Sequence, residues 1–435
     1  MYNNLIKSIK NKKCKVGIFG LGYVGLPLAI RFAEKKFQVF GYDNNKKKLE
    51  ILNQGKSYIK QIDSKTIKNI INKKLKVFNK FNNVNELDAL IFCLPTPIKS
   101  NKVPDLSYLR KCLKSIEKKI RPGQMFCNES TSYPGTTEEF FERTFNKMGL
   151  KTGKDVFLVF SPEREDPGNP IFKIKNITKI VSGKTAKCQN VGYEIYSKIV
   201  SNVFKASSIK TAEMTKLVEN IFRSVNIGLI NELKIICEKM GINIWEVVEA
   251  ARSKPFGFYP FYPGPGVGGH CIPVDPFILT WKAKKYDANT KFITLAGQIN
   301  DQMPSYVVKR TIDKLKRVNK NKKQFKILIL GLAYKPDVDD YRESPSLKIM
   351  SILINKFKCN VDYSDPFISE LPNNFGLNKK LKSIELGYEK IKKYDAAVIV
   401  TNHKKFDYKK IERFSRILVD TRGVFKKETD KIVLA

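Results

Sequence analysis

Residues 15–25 read Lys-Val-Gly-Ile-Phe-Gly-Leu-Gly-Tyr-Val-Gly. The start of this stretch, Lys15–Gly20, is a short apolar run of the kind that forms a buried strand. Gly20, Gly22 and Gly25 then fall at the GxGxxG spacing, a turn that leads directly into a helix-like segment ending near Lys36. A second strand, Gln38–Tyr42, completes a strand-helix-strand unit, and Asp43 stands at its end. Glycines at this spacing let a pyrophosphate approach the backbone at the start of the helix. A carboxylate about 20 residues on can accept hydrogen bonds from an adenosine ribose diol. The pattern predicts a dinucleotide site, and an acid at position 43 favours NAD over NADP.

Working outward, Ala89–Leu94, Gln124–Asn128 and Val156–Ser161 are further strand candidates, separated by helix-compatible stretches as a parallel, doubly wound α/β sheet requires. From Ser208 to Met240 a proline-free pattern carries apolar residues at Met214, Leu217, Val218, Ile221, Phe222 and Val225, and Gly241 is placed to end the helix. The helix holds more apolar surface than its own domains need, which predicts a homo-oligomer, at least a dimer. A Pro/Gly-rich stretch, Pro255–Pro276, follows, of the kind that carries function. After the lysine-rich segment Lys309–Lys326, strands are expected at Lys326–Gly331, Cys359–Tyr363, Ala396–Thr401 and Ile417–Asp420, a second and smaller α/β domain. A glycine-bearing turn after a strand at both Gly20 and Gly331 hints at two related halves.

The chain has 435 residues and a net charge of +38. Its lysines are spread along the whole length without a basic tail or a nucleic-acid module, so a solvated surface is expected and not a nucleic-acid partner. No two of the eight cysteines are closer than Cys112 and Cys127, so there is no CxxC pair, and a reducing, cytoplasmic setting is expected. Only His270 and His403 are present, which argues against a metal site. Basic residues Lys7–Lys15 before the apolar Val16–Ile30 imitate a signal peptide, but Gly17, Gly20, Gly22, Gly25 and Pro27 break that stretch, and no membrane span is expected.

Several longer segments are more particular: GLGYVGLPLA (20–29), CLPTP (93–97), ESTSYPGTT (129–137), SPEREDPGN (161–169), AEMTKLVEN (212–220), FGFYPFYPGPGVGGHCIPVDPFILTWKA (256–283), GLAYKPDVDDYRESPS (331–346), Asp365-Pro366 and DTRGVF (420–425). Together they resemble the UDP-glucose/GDP-mannose dehydrogenase family over nearly the whole chain, in particular its bacterial members acting on UDP-N-acetylglucosamine. The resemblance implies a NAD-binding Rossmann-like domain over residues 1–205, a central helical region with the cysteine loop over 206–305, and a UDP-binding α/β domain over 306–435.

It also implies roles. Cys271 would trap the aldehyde made by a first hydride transfer, and a second NAD would oxidise the adduct to a thioester for hydrolysis. Lys216 and Asn220, four apart on one helix face, would direct an ammonium and an amide at one substrate oxygen. Glu163 would activate water or relay a proton, Thr131 would hold that water, and Asp275 would assist the base chemistry or lower the thiol pKa indirectly. Tyr23 and Val24 of the turn, with Pro95, Thr96 and Thr131, would border the cofactor. Arg164, Gly268, Phe256, Phe258 and Tyr259 would border the sugar; Lys335, Arg342 and Arg422 would hold the UDP moiety. Arg252 would serve a neighbouring subunit's site. His270, although beside Cys271, is given no catalytic role. Ser132-Tyr133-Pro134 departs from the Val-Pro-Pro of many relatives. The expected product is UDP-N-acetylglucosaminuronate, made by four-electron oxidation of the C6 hydroxyl of UDP-N-acetylglucosamine, for surface polysaccharide. UDP-N-acetylmannosamine, UDP-N-acetylgalactosamine or UDP-glucose are alternative substrates, and a non-catalytic nucleotide-sugar binder is the alternative of another class.

Overall fold

The computed structural model describes residues 1–99, 101–165, 174–269, 271–371 and 381–435. The chain divides into two compact units, residues 1–219 with 277–288 and residues 220–276 with 289–435.

In the first unit the described strands are β1 (Lys15–Phe19), β2 (Gln38–Tyr42), β3 (Leu75–Phe78), β4 (Ala89–Phe92), β5 (Met125–Asn128), β6 (Phe157–Phe160), β7 (Lys179–Gly183) and β8 (Val203–Lys205), in the sheet order β3-β2-β1-β4-β5-β6-β7-β8. The first six follow the strand order of a dinucleotide-binding fold. The central strands β4, β5 and β6 are buried throughout, as a sheet covered on both faces demands. Helix Gly25–Glu34 seats Leu26, Leu28, Ile30 and Phe32 against it, each side chain contributing roughly 1.5–3 kcal/mol by burial.

One junction departs from the expected parallel sheet. β7 pairs antiparallel with β6, in the register Val159↔Gly183 and Phe160↔Ser182. The clasp is made by hydroxyls: Ser161 Oγ donates to Ile180 O at 2.7 Å and Ser182 Oγ to Phe160 O at 3.1 Å. The reversal brings the first residue of β7, Lys179, to the carboxyl end of the sheet, where the parallel strands deliver their functional loops.

The second unit contains β9 (Lys326–Leu330), β10 (Asn360–Ser364), β11 (Ala396–Ile399), β12 (Leu418–Asp420) and β13 (Ile432–Leu434), all parallel in the order β10-β9-β11-β12-β13. The two sheets repeat one device. Gly20, at φ +95°, donates its N–H to Tyr42 O at 2.8 Å, and Leu21 N donates to Asp43 Oδ2 at 3.0 Å. Gly331, at φ +85°, donates to Ser364 O at 2.9 Å, and Leu332 N donates to Asp365 Oδ2 at 2.6 Å. The hint of related halves is thus borne out in hydrogen bonds.

The long helix runs Ile209–Met240, 32 residues, about 48 Å at the α-helical rise. Met214, Val218, Phe222, Leu229, Leu233, Ile236 and Met240 are exposed along it, at spacings of three, four and seven that keep them on one face. Among the described residues no helix is long and apolar enough to cross a membrane.

Candidate active site

The turn after β1 owes two of its glycines to packing within the chain. A Cβ on Gly20 would stand 2.5 Å from the Cys93 carbonyl oxygen, and one on Gly25 would stand 1.8 Å from the Gly20 carbonyl oxygen. A Cβ on Gly22 would meet nothing within 4 Å. Its smallness therefore serves something that approaches from outside the chain, as a pyrophosphate does. Asp43 is fixed by Leu21 N on one oxygen and by Asn45 N at 2.9 Å on the other, with Lys48 Nζ 3.8 Å away. Tyr23 and Val24 are half-buried in the turn. The residues present fit NAD.

Across the carboxyl end of the same sheet, Thr96 Oγ1 donates to Thr131 O at 2.6 Å and Leu94 N donates to Ser130 Oγ at 3.0 Å, tying the turn after β4 to that after β5. Pro95 is exposed and Thr131 half-buried beside them. Helix Thr136–Lys147 lacks a side-chain cap of its own. Glu213, on the long helix, supplies it by accepting from Gly135 N and, at 2.9 Å, from Thr137 N. Burial pushes the Glu213 carboxyl up to about 7, against the pull of these donors. Lys216, less than one turn further along, is half-buried.

Glu163 leaves β6 into a cluster that the sequence did not announce. Its Oε1 accepts from Arg164 N at 2.7 Å and Glu165 N at 2.5 Å, and its Oε2 lies 3.2 Å from Lys179 Nζ. Lys179 Nζ also reaches Glu129 Oε2 at 2.8 Å, and Glu129 accepts a short hydrogen bond from Tyr196 OH. Glu129 and Lys179 are buried. Burial opposes ionisation of Glu163, yet the Lys179 ammonium and the two backbone donors hold its carboxyl below the usual range. Burial also opposes the charge on Lys179, but Glu129 and Glu163 outweigh it and keep the ammonium protonated. Arg164 is occupied by Glu219 Oε1 at 2.7 Å and Thr178 O at 2.8 Å.

In the second unit, Cys271 is the one exposed cysteine of the eight; the other seven, in either unit, are buried or half-buried. Its carbonyl accepts from Val274 N at 3.1 Å and Asp275 N at 2.8 Å, which starts helix Asp275–Ala283. The buried Asp275 carboxylate accepts from Asn220 Nδ2. The Asn220 amide expected to face a substrate oxygen thus also braces the cysteine loop against the long helix. A second brace is a buried amide relay: Gly264 N donates to Asn231 Oδ1, Asn231 Nδ2 to Asn300 Oδ1 and Asn300 Nδ2 to Ser224 O, each at 2.9–3.0 Å. Gly268 packs where a Cβ would lie 2.7 Å from Tyr334 Cβ.

Of the expected cations, Arg422 donates from Nε to Val400 O at 2.7 Å, and burial pulls its guanidinium down to about 10. Arg342 is exposed and grips Asp340 at 2.6 Å; Lys335 is half-buried in the turn after β9. Arg252 is exposed, 3.6 Å from Glu249. Phe256 and Tyr259 are also exposed, whereas Phe258 packs against Ile230, Ile244 and Val248. His270 and the 166–169 end of SPEREDPGN lie outside the described residues.

Comparison with known proteins identifies the family. Family models described as the NAD binding, central and UDP binding domains of the UDP-glucose/GDP-mannose dehydrogenase family match residues 14–200, 210–302 and 328–427. The UDP-N-acetyl-D-mannosamine dehydrogenase of Pyrococcus horikoshii is 33% identical over 95% of this chain and 96% of its own. The UDP-N-acetyl-D-glucosamine 6-dehydrogenase of Salmonella typhi is 34% identical over 97% and 98%. The solved structure of the Pyrococcus horikoshii UDP-D-ManNAc dehydrogenase superposes with a TM-score of 0.86 at 31% identity, covering 97% of this chain and 98% of that one. The chain belongs to the UDP-glucose/GDP-mannose dehydrogenase family and is an NAD-dependent nucleotide-sugar dehydrogenase.

Proposed function

We propose that the protein oxidises the C6 hydroxyl of UDP-N-acetylglucosamine to the carboxylate, through a thiohemiacetal and a thioester on Cys271, for surface polysaccharide. The observation that carries this is the exposure of Cys271 alone among eight cysteines, in a loop braced by Asp275, Asn220 and the Asn231–Asn300 relay. A packing cysteine needs neither exposure nor bracing, whereas a nucleophile needs both.

NAD, when bound, supplies the hydride acceptor for each oxidation. The chain's own residues do the rest. Cys271 adds to the C6 aldehyde, Lys216 and Asn220 donate to the oxygen on which charge develops, and Glu163, with Thr131, orients the hydrolytic water. Asp275 acts through its hold on Asn220 and on the Cys271 backbone. Arg164, Phe256, Phe258, Tyr259 and Gly268 border the sugar, and Lys335, Arg342 and Arg422 face the UDP. The exposed apolar face of the long helix pairs with a second copy, for which Arg252 completes a neighbouring site. The protein works in the cytoplasm without nucleic acid.

UDP-N-acetylmannosamine is the second reading, favoured by the Pyrococcus horikoshii relative. Absorbance of NADH with NAD and a panel of UDP-N-acetylglucosamine, UDP-N-acetylmannosamine, UDP-N-acetylgalactosamine and UDP-glucose decides between them. We expect about two NADH per sugar consumed on one hexosamine, because two oxidations separate an alcohol from an acid. One NADH per sugar would sink the thioester route, and NADH from UDP-glucose alone would sink the hexosamine assignment.

A further inference from the structure

We propose that Lys179 is a positioning residue for the hydrolytic step, locking Glu163 in the one orientation that can take a proton from water, with Glu129 as the counter-charge that lets a lysine stand there. This rests on the role assigned above to Glu163.

The placement follows from the sheet. β5 and β6 run in parallel, so Glu129 and Glu163 both emerge at the carboxyl end. An eighth-strand sheet that stayed parallel would begin β7 at the opposite end. Because β7 is reversed, continuing the register from Phe160↔Ser182 sets Lys179 opposite Glu163. Nζ then spans the two carboxylates at 2.8 and 3.2 Å, with its side chain 5% exposed. Tyr196 OH closes the far side of Glu129 and stands 3.2 Å from Cys127 Sγ, so this end of the cluster is sealed within the core.

Stability alone is a poor reason for such a cluster. Desolvating three charges costs as much as their attraction returns, and an apolar trio of similar volume would serve the core as well or better. What the charges do achieve is orientation. Glu163 Oε1 is held by two backbone N–H groups and Oε2 by Lys179, so the carboxylate can neither rotate nor swing away. Without Lys179, a desolvated carboxylate would protonate or turn toward solvent, and in neither state does it accept a proton from a nearby water. In hydrolysis the water oxygen bonds to the acyl carbon and the carbon–sulfur bond breaks. Sulfur leaves with the bonding pair, and the two water protons pass to solvent, the first through Glu163. No oxidant or reductant enters this step.

The test uses the full-length enzyme with NAD and whichever UDP-N-acetylhexosamine supports turnover, comparing K179M, K179R and E163Q by rapid-mixing absorbance and by intact-protein mass spectrometry of quenched samples. K179M should lower kcat about 100-fold, the scale of general base catalysis, with KM for sugar and NAD within about threefold. It should keep a fast burst of NADH and accumulate an acyl adduct on Cys271. K179R, which retains the charge and both hydrogen bonds, should recover to within about tenfold of the parent enzyme. If K179M does not fold, the E129Q/K179M double variant, which removes the second buried carboxylate, carries the same expectations. Wild-type turnover by K179M, or equal loss of burst and steady rate with no adduct, would overturn the inference. If E163Q nevertheless traps the adduct, the role of Glu163 survives that failure. Full turnover without adduct by E163Q would remove the role of Glu163, and the inference with it.

Discussion

Replacing Lys234 with methionine should change how the stability of the second unit depends on pH. Lys234 lies on the long helix, 2% exposed, and among the described residues its Nζ has no hydrogen-bond partner. The ring centroids of Trp245 and Tyr306 are each 5.3 Å away. Burial pulls the amine down to about 7; Arg310 and Arg422 add to that, while Asp420 and Glu238 oppose it. In the unfolded chain the same group titrates near 10.4. Between these values the unfolded state binds the extra proton, so stability rises with pH across the window from about 7 to about 10.4 and is level below it. From pH 7 to pH 9 the linkage amounts to about 2 kcal/mol. Methionine has a similar shape and no proton to lose, so its curve should lack that rise and start higher at pH 7. Urea unfolding of both proteins at pH 7, 8 and 9 and constant ionic strength gives the difference directly. A parent curve that runs parallel to that of the variant would show that the amine is not held neutral and would refute the reasoning.

Three further outcomes are expected. Cys271→Ala should form no uronic acid while still binding NAD and the UDP-sugar, and normal acid production by this variant would overturn the covalent route. Asp43→Ala should weaken NAD binding about tenfold or more, from loss of a charge-assisted hydrogen bond of roughly 1.5–3 kcal/mol, with the KM for sugar little changed; titration calorimetry showing parent affinity would contradict it. The dimer proposed above should fall to monomer in light scattering, without unfolding, when Leu229→Lys is combined with Ile236→Lys, because both side chains are exposed; a mass equal to that of the parent would contradict the proposed pairing through this face.

The buried strands were legible because their apolar runs are continuous: β1, β2, β4, β5 and β6 all lie where periodicity puts them, as do β9 to β12. The edge strands of the first sheet were not. β3 is half-exposed and begins after Lys73-Lys74, and β8 has three residues with none buried. Strand β7 escaped notice for a different reason: Lys179 and Ser182 interrupt its apolar run, and both are buried. A lysine at the head of a short strand reads as a solvated residue. Only the reversed pairing, which depends on contacts far apart in sequence, turns it inward to Glu129 and Glu163. The same limit hid the capping role of Glu213, whose partners are 76 and 78 positions away. The glycine turn, by contrast, is a local pattern legible in adjacent letters, and the cysteine loop stands out through its resemblance to the family.

The repeated turn has a consequence for the order of events. In the second sheet the carboxylate matching Asp43 is Asp365, and it is already saturated. Leu332 N, Ala333 N, Phe367 N and Ile368 N all donate to it, and His403 Nε2 stands at 3.0 Å. Asp337 N donates to His403 Nδ1, so the ring proton sits on Nε2 and points at Asp365. The counterparts of Gly22 and Gly25 are Ala333, fully buried, and Pro336. This turn keeps the shape of a dinucleotide cradle with its latch already filled, which leaves the turn after β1 as the cradle that fits the cofactor. On the four-electron route proposed above, two oxidations share that cradle, so the cofactor is exchanged halfway and the half-oxidised sugar must be retained meanwhile. The sulfur bond to Cys271 proposed above would then act as a mooring during that exchange, a device of timing as much as of chemistry.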